Sequence, residues 1–223
     1  MPFFCFPSNF VYWEKVDRHE ELKSRILPKI LAEKDANEGN PWRASIVNSG
    51  FDYDLGEHDR KNSMLNDLFI MENVVKQPIN NVFSQLSKLY PYKIEDLFVK
   101  NWWWNVYERG NFQEQHHHNG EPLEKNGSRF HPLLSVIYIL HDENPSSSVL
   151  FTHTAPVPLH GTSRDLTFDT GDLTQVEEGC SLVFPSGLRH CVRPCSVPGR
   201  VTLSFNVYAK LGDQAEWPIR QHL

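Results

Sequence analysis

From residue 97 onward the chain reads as short β-rich runs separated by turns: Leu97 to Tyr107, Leu133 to Leu140, Ser147 to Thr152, Ser181 to Phe184 and Val201 to Ala209. That pattern belongs to an all-β barrel or jelly roll. The polar segment Thr154 to Gln175, rich in Pro, Gly, Thr and Asp, reads as a long loop that covers a site. Upstream the pattern differs. A Pro-flanked strand candidate opens the chain, and Val16 to Ala36 then carries Leu22, Ile26, Ile30 and Leu31 at helical intervals. A second amphipathic helix is predicted from about Met64 to Leu89, broken near Pro78. The polar positions of these helices show no convergent chemistry, so they read as support. The predicted fold class is mainly β with N-terminal supporting helices.

The 223 residues, 39% hydrophobic, suffice for one sizeable core. The expected organisation is a single domain over 1–223, with strand and helical support over 1–96, a β core over 97–210 and a tail over 211–223. A net charge of −6 offers no basic surface, so neither nucleic acid nor an anionic membrane is an expected partner. The opening Met-Pro-Phe-Phe-Cys-Phe-Pro lacks the basic start of a secretory signal, and no apolar run is long enough to span a bilayer. Cytoplasmic residence is the expectation. Cys5, Cys180, Cys191 and Cys195 then read as reduced thiols, since no second pair completes a zinc clip with Cys191 and Cys195.

The chemistry lies in the histidines. On an extended backbone His116 and His118 share one face while His117 points away, so two imidazoles reach one metal ion. A third candidate, His190, follows the short apolar strand and Pro-Ser-Gly turn of Gly179-Cys-Ser-Leu-Val-Phe-Pro-Ser-Gly-Leu-Arg-His190. The next strand alternates strictly, with Arg200, Thr202, Ser204 and Asn206 on one face and Val201, Leu203, Phe205 and Val207 on the other. Paired back against the strand end bearing His190, the polar face would line a pocket beside the metal. A guanidinium there grips a carboxylate through two parallel charge-assisted bonds, which points to a dicarboxylate ligand.

With Trp103-Trp104-Asn105, Gly110, His116 to His118, Phe184-Pro185-Ser186-Gly-Leu-Arg-His190 and Ser204-Phe205-Asn206, the C-terminal half, from about Asn101 to Tyr208, resembles the 2-oxoglutarate- and Fe(II)-dependent oxygenases. The resemblance implies a double-stranded β-helix in which His116 and His190 bind Fe(II) and Arg200 binds the distal carboxylate of 2-oxoglutarate. It makes Tyr138 and Asn105 pocket-lining candidates and dioxygen a co-substrate, with a hydroxylase acting on a small molecule or a protein side chain. Ser204 and Asn206 join that cofactor set through the polar strand face. The departure is at the second ligand. Most of that superfamily carries His-x-Asp or His-x-Glu, whereas His118 stands here, so a three-histidine site is expected, with Glu114, Glu121 or a water as alternative third ligands. Neutral imidazoles leave the ion's charge uncompensated, which suits a dianionic co-substrate and leaves iron less firmly specified than with a carboxylate ligand.

Two other readings fit the same residues. Gly110-x5-His116-x-His118 and Gly179-x5-Pro185-x-Gly187-x2-His190 resemble the two cupin motifs, which implies a three-histidine dioxygenase or isomerase that does not use 2-oxoglutarate. A non-catalytic barrel with a structural zinc ion would need a fourth protein ligand, and only three good ones are present. Substrate choice falls to the loops at 119–131 and 153–175.

Overall fold

A computed structural model describes residues 3–6, 9–36, 48–51, 68–86, 94–142, 145–157 and 162–212. The chain begins with β1 (Phe3–Phe6), β2 (Asn9–Lys15), α1 (His19–Ala36) and β3 (Asn48–Phe51). A helical stretch follows: α2 (Leu68–Ile70), a π-helical segment (Met71–Lys76) and α3 (Gln77–Leu86). The remaining strands are β4 (Ile94–Tyr107), β5 (Gln113–His116), β6 (Leu123–Lys125), β7 (Ser128–His141), β8 (Val149–Val157), β9 (Thr162–Asp169), β10 (Cys180–Pro185), β11 (Arg189–Val192) and β12 (Arg200–Leu211).

Two antiparallel sheets result. The larger runs β1-β2-β10-β7-β12-β4-β3, with β6 attached to β7, and the smaller runs β5-β11-β8-β9. From β4 onward the chain passes back and forth between them, with β4, β7, β10 and β12 in one sheet and β5, β8, β9 and β11 in the other. This is a double-stranded β-helix. The sheet's period of two sorts the side chains. Val201, Leu203, Phe205 and Val207 of β12 join Trp102, Trp104 and Val106 of β4 and the apolar residues of α1 and α3 in one core. The opposite face of the same sheet supplies Tyr107 and Ile137 to a second core with Val149, Phe151 and Val192 of the smaller sheet. Arg200 lies opposite Tyr107 and Ser204 opposite Ile137, so the polar face of β12 looks into the space between the sheets.

Several expectations change. β12 pairs with β4 and β7 and not with the strand of His190, which belongs to the other sheet and faces β12 from across the barrel. The segment expected to be a long loop is largely a hairpin, β8 with β9, ending in a single 3₁₀ turn, Thr170–Asp172. β9 is an edge strand with Asp165, Leu166 and Thr167 exposed, so it tolerates the polar composition that disguised it. Pro156 sits in β8 beyond Thr152, where β8 no longer pairs with β11 and no ladder partner is lost on that side.

The helices pack as predicted through Leu22, Ile26, Ile30, Val74, Ile79 and Val82, while Leu31 and Leu68 are exposed. The predicted ends of the second helix, 64–67 and 87–89, lie outside the described residues, as does the tail beyond 212. The break near Pro78 takes a specific form. Pro78 has no N–H to return to Val74, the preceding turns widen so that Gln77 N–H donates to Glu72 O, and the Val74 carbonyl accepts from Ser181 Oγ of β10 at 3.1 Å. No helix among the described residues is long and apolar enough to cross a membrane.

Helix α1 is tied to the barrel through Glu178. Its carboxylate accepts from Lys23 Nζ (2.6 Å), His19 Nε2 (3.1 Å), His141 Nδ1 (3.0 Å) and the Asp142 backbone N–H (2.6 Å). Gly179, at φ +87°, allows this close approach, because a Cβ there would lie 3.0 Å from the His19 ring. Burial alone would raise the Glu178 pKa, but Lys23, the Asp142 N–H, His19 and His141 together hold it at about 2. A folded-state pKa below the unfolded one adds stability that is present above the ordinary carboxylate range and lost as pH falls toward 2. With solvent screening allowed for, the contribution is on the order of 1–2 kcal/mol. In acid unfolding followed by circular dichroism, Glu178→Gln should therefore lower stability at pH 7 and flatten its decline between about pH 4.5 and 2. A wild-type slope retained in the variant would assign the decline to other groups.

Candidate metal centre

His116 ends β5 and lies directly opposite His190 on β11. Past the end of β5, His118 returns to the same side, its ring 5.2 Å from that of His116, while His117 is exposed, as the alternation predicts. The His116 and His190 ring centroids are 4.3 Å apart, His118 and His190 4.8 Å, and His116 and His118 5.2 Å. One ligand nitrogen from each ring lies within 4.8 Å of the other two, and among the described residues no Asp, Glu or Cys joins this trio. Glu114 and Glu121 are therefore not grouped with it.

Each imidazole is oriented by an acceptor at Nδ1. His116 Nδ1 donates to Glu114 O (2.6 Å) and His190 Nδ1 to Leu188 O (3.0 Å), and a carbonyl can only accept. His118 Nδ1 lies 2.8 Å from Ser135 Oγ, whose own proton goes to Asn206 Oδ1 at 3.4 Å, so this nitrogen too is a donor. All three Nε2 atoms are thereby left with lone pairs, the state a divalent cation requires. Electrostatics agree. Burial, then His116, pushes the His190 pKa down to about 3; burial, then His190, holds His118 well below its ordinary value; burial lowers His116. The trio is neutral at pH 7. The donor set fits a metal ion with open coordination positions, since three protein ligands leave room for others.

The rings are also packed. Phe184 and Phe151 lie 4.8 and 5.8 Å from His190, and Trp103 meets His118 edge-on at 5.1 Å. Trp103 alone of the tryptophan run faces the barrel interior, whereas Trp102 and Trp104 belong to the helix-side core. The two segments bearing ligands are clamped together where His118 N–H donates to Ser186 O (2.8 Å) and Ser186 Oγ to Asn119 Oδ1 (3.3 Å). Removing the hydroxyl that orients His118 should weaken metal binding by about 10–100-fold. Ser135→Ala tests this by competition against a chelator of known affinity, with wild-type affinity as the result against it.

Along the interior the polar residues continue away from the metal ligands. Asn206 pairs with Ser135 and Asn101, Ser204 is buried, and Asn105 Nδ2 donates to Thr202 Oγ1 at 3.3 Å. Burial keeps the Tyr107 phenol protonated, and it donates to Gln113 Oε1 (3.0 Å), while Gln113 Nε2 reaches Asn105 Oδ1 (3.4 Å). Arg200 closes this row, 3% exposed. Its Nη1 donates both to the carboxylate of Asp142 and to Ser147 O (3.0 Å). Its Nε is buried with no partner, the unsatisfied donor expected where a ligand's carboxylate belongs.

The structure thus brings His116, His118 and His190 together and sets Asn105, Ser204, Asn206 and Arg200 on the interior face. Tyr138 does not join them. It lies in the helix-side core and donates to His19 Nδ1 at 2.6 Å, because it has the opposite strand parity to Ser135. Ser135, Gln113 and Asp142 escaped the sequence reading. Strand parity gives a signal for Ser135, the polar residue of the inward face in Ser135-Val-Ile-Tyr-Ile-Leu140, but nothing local marks Asp142 as the partner of an arginine 58 residues away.

No protein-family description and no curated protein matches the sequence. Solved structures do. HygX from Streptomyces hygroscopicus, with nickel and 2-oxoglutarate bound, aligns over 90% of this chain and 82% of its own at 12% identity, with a TM-score of 0.54. The α-ketoglutarate-dependent epimerase SnoN from nogalamycin biosynthesis aligns over 88% of this chain and 76% of its own at 14% identity, TM-score 0.53. A Pseudomonas putida prolyl-4-hydroxylase aligns over 90% and 91% at 14% identity, TM-score 0.50. At such identities the likeness is one of fold, and it agrees with the strand order derived above. The chain has the double-stranded β-helix fold shared by 2-oxoglutarate- and Fe(II)-dependent oxygenases.

Proposed function

We propose that the protein is a 2-oxoglutarate-dependent Fe(II) oxygenase, a hydroxylase in its simplest form, with dioxygen as co-substrate. The observation that carries this reading is one barrel interior lined by three neutral, pre-oriented imidazoles and by a buried guanidinium with an unpartnered Nε. His116, His118 and His190 would hold the metal through Nε2. Fe(II) bound there supplies the redox chemistry that couples decarboxylation of 2-oxoglutarate to succinate with oxidation of a substrate C–H bond. Arg200 anchors the distal carboxylate of 2-oxoglutarate, and Asn105, Thr202 and Ser204 line the path between the two ends, which orients the 2-oxo acid group toward the metal. Phe151, Phe184 and Trp103 keep water from the histidines.

The cation inside the barrel favours this reading over a cupin that binds no dicarboxylate. The substrate is a small molecule or a peptide side chain, as the known activities on this fold include both prolyl hydroxylation and an epimerisation in nogalamycin biosynthesis. Incubation of Fe(II)-loaded protein with ascorbate, dioxygen and 2-oxoglutarate should release succinate slowly without added substrate, at a rate lost in His190→Ala. No succinate from protein carrying stoichiometric Fe(II) counts against the reading.

A further inference from the structure

The guanidinium proposed as the carboxylate anchor already holds a carboxylate. Asp142 and Arg200 form an ion pair with side chains 5% and 3% exposed. Asp142 is fixed in turn by Ser146 N–H (3.1 Å) and Ser146 Oγ (2.8 Å). Its own backbone N–H donates to Glu178, which α1 holds through Lys23 and His19. It is therefore not free to swing away when a ligand arrives. The inward residues of β12 and β4 near this end, Thr202, Ser204, Asn105 and Tyr107, include no second cation. A distal carboxylate on the Nε edge would give one arginine two carboxylates in a buried space, and like charges sharing a buried site disfavour each other.

Resting on the oxygenase reading, we infer that Asp142 is a specificity-determining residue. It neutralises Arg200 from within the protein and weakens the hold on the distal carboxylate of 2-oxoglutarate. 2-Oxo acids with an uncharged tail thereby compete with 2-oxoglutarate at this site far better than they would against an unpaired arginine.

The test compares two acids that differ only at the tail, 2-oxoglutarate and 2-oxopentanoate, by calorimetry on the anaerobic Fe(II)-loaded protein. Both present the same metal-chelating group, so the ratio of their dissociation constants isolates the distal contact. The wild-type protein should prefer 2-oxoglutarate by less than about tenfold, and Asp142→Asn should raise that preference by about tenfold or more through tighter 2-oxoglutarate binding alone. Ser146→Ala, which loosens Asp142 without removing its charge, should move the ratio the same way by about two- to threefold. If Asp142→Asn does not fold, the Ser146→Ala ratio decides. An unchanged or reduced ratio in the folded variants overturns the inference while leaving the oxygenase reading intact. Failure of both acids to bind any Fe(II)-loaded variant overturns both.

Discussion

Replacing His190 with alanine should reduce metal affinity by more than about 100-fold, beyond what loss of a ligand's hydrogen-bond partner costs, because one of three ligands disappears from a site that no carboxylate among the described residues joins. Mass-spectrometric metal content after dialysis reads the effect, and circular dichroism should retain the β signature. A second consequence concerns acid. Burial first, and His116 second, keep His190 neutral down to about pH 3. An unfolded histidine takes up its proton near pH 6.5, so the metal-free wild type should lose stability as pH falls from there toward 3. His190→Ala removes that part of the decline. Stoichiometric metal in the variant would move the site elsewhere.

Arg200→Ala should cost about 3–5 kcal/mol, a larger effect than any single surface change, because it leaves Asp142 buried at 5% exposure without its counter-charge. Replacing both partners with apolar residues of matching volume should recover most of that loss, since neither charge then stays buried alone. Thermal or urea unfolding of the single and double variants measures it. In whatever fraction remains folded, metal loading should persist, because the three imidazoles are oriented by Glu114 O, Leu188 O and Ser135 Oγ and not by Arg200. A loss below about 1 kcal/mol would mean that water reaches Asp142 readily. This energetic role is why the anchor's function is better tested by ligand selectivity than by the alanine variant alone.

What the sequence revealed and what it concealed follow from range. Strand parity is local, so the inward pair His116 and His118 and the polar face Arg200, Thr202, Ser204 and Asn206 could be read before any fold was known. The apolar spacing of α1 was legible for the same reason, although Leu31 sits at the exposed margin. Parity without knowledge of which face is inward is ambiguous, and Tyr138 fell on the wrong side of β7 for that reason. β9 was hidden because an edge strand with three consecutive exposed residues, Asp165 to Thr167, resembles a polar loop. Two parts of the site are non-local. The Asp142–Arg200 pair joins residues 58 apart and the hydroxyl of Ser135 reaches His118 across 17, contacts that no spacing rule reports.

The central claim is that the three histidines and Arg200 hold the two ends of one 2-oxo acid ligand. Its most direct test is an anaerobic titration of the Fe(II)-loaded protein with 2-oxoglutarate, watching for the weak visible charge-transfer band of a chelated 2-oxo acid. The account predicts a saturable band with one equivalent of 2-oxoglutarate per iron, absent in His190→Ala. Iron bound in full with no band at any 2-oxoglutarate concentration would contradict it.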